Sequence, residues 1–149
     1  MITLSVSVQM SDQDPYHHNL SQDDKKIFQS AVELFKSGCG DLSVGELPNK
    51  SKCILGAKRL KTIVEANPTV VEAHILLAEL YLYQPAQIHW GEDSIAMRDK
   101  NLKIGYKHLM NALDFDQKNQ KGLSLLKMYR DIYKSAQTAG RESKPKDTL

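Results

Sequence analysis

Apolar positions recur at helical spacing along most of this chain. Beyond Ser21, the residues Ile27, Phe28, Ala31, Val32, Leu34 and Phe35 form a broad stripe, the pattern of a helix buried along one side. Ser21 with Asp24 resembles a capping-box start, and Gly38 and Gly40 supply a stop. A second helix is predicted over 51–66, with Cys53, Gly56, Ala57, Leu60, Ile63 and Val64 on one side. Asn67-Pro68 makes a turn, after which Thr69 and Glu72 form a capping box for a third helix reaching Tyr83. Between 70 and 83 only Glu72, His74 and Glu79 are polar. A helix apolar nearly all round is buried on several sides, so the third is expected at the centre. The fourth carries Leu102, Gly105, Tyr106, Leu109, Ala112 and Leu113, with Asp93 or Ser94 as an early cap. The fifth starts near Asn119 and carries Leu123, Leu126, Tyr129, Ile132, Tyr133 and Ala136.

Residues 2–10 break the pattern. Ile2, Leu4, Val6, Val8 and Met10 alternate with polar residues, a period of two that marks a strand with one apolar face. No second strand candidate follows, and a lone strand leaves its backbone groups without partners. The segment is then a flexible arm, an extended piece lying in a groove, or a strand added to another chain. Alternatively, Met10 followed by Ser-Asp-Gln-Asp is the true start, and the first nine residues are incidental. Two long stretches, 38–50 and 84–98, interrupt the helices, and the second contains the single tryptophan, Trp90. After Gly140 the tail is charged and poor in apolar residues, which predicts disorder. The expected organisation is an N-terminal arm over 1–20, one helical domain over 21–138, and a charged tail over 139–149.

A formal charge of +2 demands no acidic partner. Lys50, Lys52, Lys58, Arg59 and Lys61 form a local basic cluster, but no aromatic residues interleave it for base stacking, so a solvated helix face is expected rather than a nucleic-acid patch. Cys39 and Cys53 lack metal-ligand spacing and are expected as free thiols in a reducing compartment, a disulfide between them being the alternative. No apolar run is long enough to span a membrane, and the N-terminus lacks the pattern of a signal peptide; a cytoplasmic location is expected. His74 is expected as a satisfied, partly buried residue, and His17, His18 and His89 have no companions at ligand spacing. No nucleophile elbow, phosphate loop or metal-binding motif is present. No catalytic residue, metal or cofactor is therefore expected, and the chain reads as a non-enzyme.

The phrase Gly-x-Lys-basic-Leu occurs at 56–60 and again at 105–109, an offset of 49 (105 − 56). With Pro68, and with His74, Leu77, Ala78 and Tyr81, it resembles the tetratricopeptide repeat. His74 replaces the usual tryptophan, Gln117 stands where proline is usual, and Lys127 where a small residue is expected. The resemblance covers 21–138 and implies about five helices in stacked antiparallel hairpins, an all-α, short right-handed solenoid. An ordinary unit is about 34 residues; the longer offset places both insertions at the same end of the stack, where they would project as a binding face. The family implies a concave groove lined by the first helix of each hairpin. On this chain that groove takes Phe28, Val32 and Phe35, then Ile75, Glu79, Leu82 and Tyr83, then Ser124, Met128 and Asp131. The family's carboxylate clamp does not appear at these positions.

The expectation is a protein-interaction scaffold that takes a peptide or amphipathic helix, with Trp90 as a loop hot spot. These residues packing on one another in a compact bundle is the plainer alternative, and an anchoring role is the plainer alternative for Trp90. The N-terminal arm would be a candidate groove ligand or a contact between copies. Other functional expectations are a secretion-type chaperone and a nucleic-acid-associated helical repeat using the 50–61 cluster.

Overall fold

The computed structural model describes residues 20–84 and 98–143, with side chains to 135. Among these residues the protein is all-α. Its five helices are α1 (Gln22–Cys39), α2 (Lys50–Ala66), α3 (Val71–Tyr83), α4 (Arg98–Phe115) and α5 (Gln120–Ser143). The alternating segment 2–10 lies outside the described residues, as do Trp90, Asp93, Ser94 and 144–149.

Local chemistry explains most helix ends. Ser21 Oγ accepts from the Asp24 amide at 3.0 Å, and Gly40 closes α1 at φ 65°, a left-handed angle that a side chain disfavours. Asn49 caps α2 by accepting from the Lys52 amide. Asn119 does the same for α5 through the Gly122 amide. The third helix departs from expectation. Its cap is Val70, with no side-chain hydrogen bond, because Val70 is fully buried and anchors the turn by packing. The helical backbone of α5 reaches Ser143, past the expected domain end at 138.

Gly38 faces Cys53 while Gly56 faces Phe35, so α1 and α2 run antiparallel. His74 meets His108 while Tyr81 meets Gly105, so α3 and α4 do too. Gly122 packs on Ile75, and further along Met128 meets Tyr83; α5 therefore runs parallel to α3. The copies of the Gly-x-Lys-basic-Leu phrase place Gly56 and Gly105 at the two crossings. A methyl on Gly56 would lie 2.6 Å from the Phe35 Cα and amide nitrogen, and only a hydrogen permits that approach.

Helix α3 is central, with ten of its 13 residues buried. One side joins Phe35, Leu60 and Val64 through Leu77, Leu80 and Tyr81. Its other side joins Leu109, Leu113, Leu125 and Tyr129 through Ile75, Ala78 and Leu82. Two apolar clusters thus share one helix, and burial of both depends on it.

Part of the stretch 38–50 folds back onto the helices. Leu42, in a 3-10 turn over Leu42–Val44, is 3 % exposed and joins the first cluster. The Asp41 amide donates to Glu46 Oε1 at 2.7 Å, and the Asn49 amide to the Gly38 carbonyl at 2.9 Å. Cys39 and Cys53 form a disulfide, with Cα atoms 4.6 Å apart and no exposure. The expectation of free thiols is corrected here. Sequence separation of 14 hides the fact that the antiparallel α1–α2 pair brings the last residue of one helix beside the first turn of the next.

Candidate functional site

A hollow of about 790 Å³ opens where α1, α3 and α5 face one another. Helix α1 contributes Phe35 and Lys36, and the folded-back loop adds Gly40, Asp41 and Leu42. Helix α3 supplies Val71, Glu72, Ile75, Leu76 and Glu79. Asp116 and Asn119 from the α4–α5 turn, with Lys121 of α5, complete the wall. The apolar residues at its floor are each at most 8 % exposed, so they pack mainly on their own neighbours. Charged groups form the rim.

Helical periodicity arranges that rim. Glu72 and Glu79 lie seven residues apart, two turns along α3, on the same side as Ile75 and Leu76. Lys121 Nζ sits 2.8 Å from Glu79 Oε2, whose side chain is 12 % exposed. Lys36 approaches Glu72 at 4.0 Å, but both are well exposed, so that pair contributes little. Asp41 Oδ1 accepts from the Ser43 hydroxyl at 2.5 Å and its amide at 3.0 Å. These bonds, the hydroxyl foremost, hold the Asp41 carboxyl below its usual pKa and therefore ionised. Asp116 Oδ2 accepts from the Asn119 amide group at 3.1 Å. Tyr83 lies near this group, its hydroxyl pushed up by burial first and by the Glu79 charge second.

The hollow brings together three of the residues expected in a groove, Phe35, Ile75 and Glu79. Tyr83 and Met128 extend this side, the Tyr83 hydroxyl donating to the Met128 sulfur at 3.4 Å. Phe28 and Leu82 belong to the two cores, as Phe35 and Ile75 do, but do not line the hollow, and Val32 packs against the first core. Ser124 is exposed. Asp131 faces a separate hollow between α4 and α5, beside Arg98, Lys103 and Tyr133. The helical stripe placed all these residues on the correct helices. It does not reveal which sides of α1 and α3 the neighbouring hairpin covers.

Periodicity gave no reason to single out Asp41, Glu72, Asp116 and Lys121. Asp41 and Asp116 lie in connections, and their convergence depends on how those connections fold. Their only signal was position beside helix ends.

A second polar cluster lies inside the stack. His74 is 3 % exposed, and its Nε2 donates to the Pro68 carbonyl at 2.8 Å. A neutral His74 then has Nδ1 free as an acceptor, which His108 Nδ1–H fills at 3.0 Å. Tyr81 stacks on His108 with centroids 6.3 Å apart and planes 6° from parallel. Burial foremost, then a proton on His74 whenever it is charged and the Lys61 and Lys107 charges, push His108 down to about 4. Burial also lowers His74. Both ring nitrogens of His74 are occupied, and among the described residues no group of three or more metal-ligating side chains occurs. The pair clamps α3 to α4.

No known family model, curated protein or solved structure matches this chain.

Proposed function

We propose that the protein is a non-enzymatic, tetratricopeptide-like interaction scaffold that holds a segment of a partner protein in the α1–α3–α5 hollow. One observation carries this reading: the hollow is lined by every second helix of a stack of antiparallel pairs. That is where helical-hairpin proteins present a concave surface for peptides or helices. A buried floor with a charged rim suits a segment that contributes a few apolar side chains and meets the rim with its own charges.

Glu72→Trp tests this reading, because Glu72 lies on the rim with its side chain 40 % exposed. A bulky ring there would obstruct the hollow with little effect on the core. A partner captured by the wild-type chain from its native host, then purified, should bind the variant at least about tenfold more weakly, at unchanged melting temperature. Equal binding by the two proteins would move the interaction off this face.

A second reading has a specific observation in its favour. Lys50, Lys52, Lys58, Arg59 and Lys61 are all exposed along α2, on the helix that contributes nothing to the hollow. Nucleic-acid binding there would weaken steeply with added salt. The buried Cys39–Cys53 disulfide also fits an oxidising compartment better than reducing cytoplasm. Among the described residues no helix is long and apolar enough to cross a membrane.

A further inference from the structure

The hollow is acidic, although the chain as a whole is basic. Four carboxylates line the hollow, Asp41, Glu72, Glu79 and Asp116, against two lysines, Lys36 and Lys121. Its formal charge is therefore −2 (2 − 4) in a chain of +2, leaving +4 elsewhere (2 + 2). The lysines do not cancel the excess. Lys121 is held by Glu79 at 2.8 Å, and Lys36 meets Glu72 only at 4.0 Å. Asp41 and Asp116 have neutral hydrogen-bond partners, Ser43 and Asn119. Asp41 belongs to the α1–α2 loop and Asp116 to the α4–α5 turn, so the two charges enter the hollow from different connections.

We propose that the occupant of the hollow is a basic protein segment, with a few apolar side chains meeting the floor and Lys or Arg facing the rim carboxylates, Asp41 and Asp116 among them. This rests on the scaffold reading above and specifies its partner. Charge complementarity selects the sign. An acidic segment or a nucleic-acid backbone would bring like charge against four carboxylates, while a cationic one finds an excess of carboxylates that Lys36 and Lys121 leave uncancelled. The exposed cations of α2, a helix that contributes nothing to the hollow, repel a cationic partner there and favour its approach to the acidic hollow instead.

The test is fluorescence anisotropy on the full chain, using two labelled probes of about twelve residues with the same helical apolar stripe. One carries Lys at its polar positions, and its twin carries Glu there. The Lys probe should bind at least about tenfold more tightly than its twin and weaken as salt is raised. Asp41→Asn with Asp116→Asn keeps both hydrogen-bonding side chains and removes both charges, and should weaken the Lys probe by about tenfold. Glu72→Gln provides a milder variant if the double one folds poorly. Equal binding of the twins would overturn the basic-segment assignment while leaving the scaffold reading intact. Binding of the Lys probe that is indifferent to these variants would also overturn it, as would a self-associated state that the variants dissolve. If neither probe binds, both readings fail.

Discussion

At the scale of single residues, two small details hold the helices at their observed spacing. Gly56 lets α1 and α2 touch backbone to side, and the atoms that an added methyl would meet are the Phe35 Cα and amide nitrogen, 2.6 Å away. Backbone cannot swing aside as a flexible side chain does. Gly56→Ala should therefore destabilise the fold by roughly 1–3 kcal/mol despite the better helix propensity of alanine, read from the urea midpoint. Unchanged or increased stability would mean the helices separate freely. The histidine pair gives a second residue-scale outcome. His108 is held near 4 when folded, against an ordinary value of about 6.5. Between those values the unfolded chain binds a proton that the folded chain rejects. The stabilisation is whole above pH 6.5 and is lost as pH falls toward 4, on the order of 3 kcal/mol in all. His108→Gln can still donate an N–H to His74 Nδ1 but does not titrate, and should flatten that part of the stability–pH curve. An equally steep curve in the variant would assign the acid sensitivity to other groups.

At the scale of elements, the connection after α1 shows how tertiary contacts redefine a loop. Read linearly, Gly-Cys-Gly-Asp-Leu followed by Val-Gly-Glu-Leu-Pro is an insertion. Folded, it is a wall of the hollow, held by Leu42 in the core, by Glu46 on the Asp41 amide, and by the Cys39–Cys53 bridge. The bridge closes a loop of 15 residues, counting both cysteines, which the chain-entropy account values at about 3 kcal/mol. Cys39→Ala with Cys53→Ala, or complete reduction of the wild type, should lower the melting temperature by about 10 °C. Dithiothreitol should then have no further effect on the double variant. A melting temperature indifferent to reductant would show that the two thiols do not pair in solution. Capping shows the same division: Ser21, Asn49 and Asn119 act through local side-chain chemistry, whereas Val70 starts α3 because burial places it there.

At the scale of the whole molecule, the apolar pattern made the helices legible and marked α3 as central, since a stripe with only Glu72, His74 and Glu79 polar has no side to give to water. It also marked Gly56 and Gly105 as crossings, because the same five-residue phrase recurs around both. These are local facts: period, cap and size are written in consecutive residues and survive any arrangement of the helices. The hollow is of another kind. Phe28 and Leu82 share the stripes and the cores of Phe35 and Ile75 but do not reach the hollow, and Asp131 points to a different pair of helices. Asp41, Glu72, Asp116 and Lys121 meet although they span 80 positions (121 − 41). His74 and His108 meet across 34, and the cysteines bond across 14. Side-chain periodicity says which way a residue points relative to its own helix. What stands opposite depends on how the hairpins stack and how the loop folds back. Helix, crossing and centre are thus set by the order of residues along the chain, while the acidic hollow, the histidine clamp and the disulfide arise only when segments distant in the chain are brought side by side.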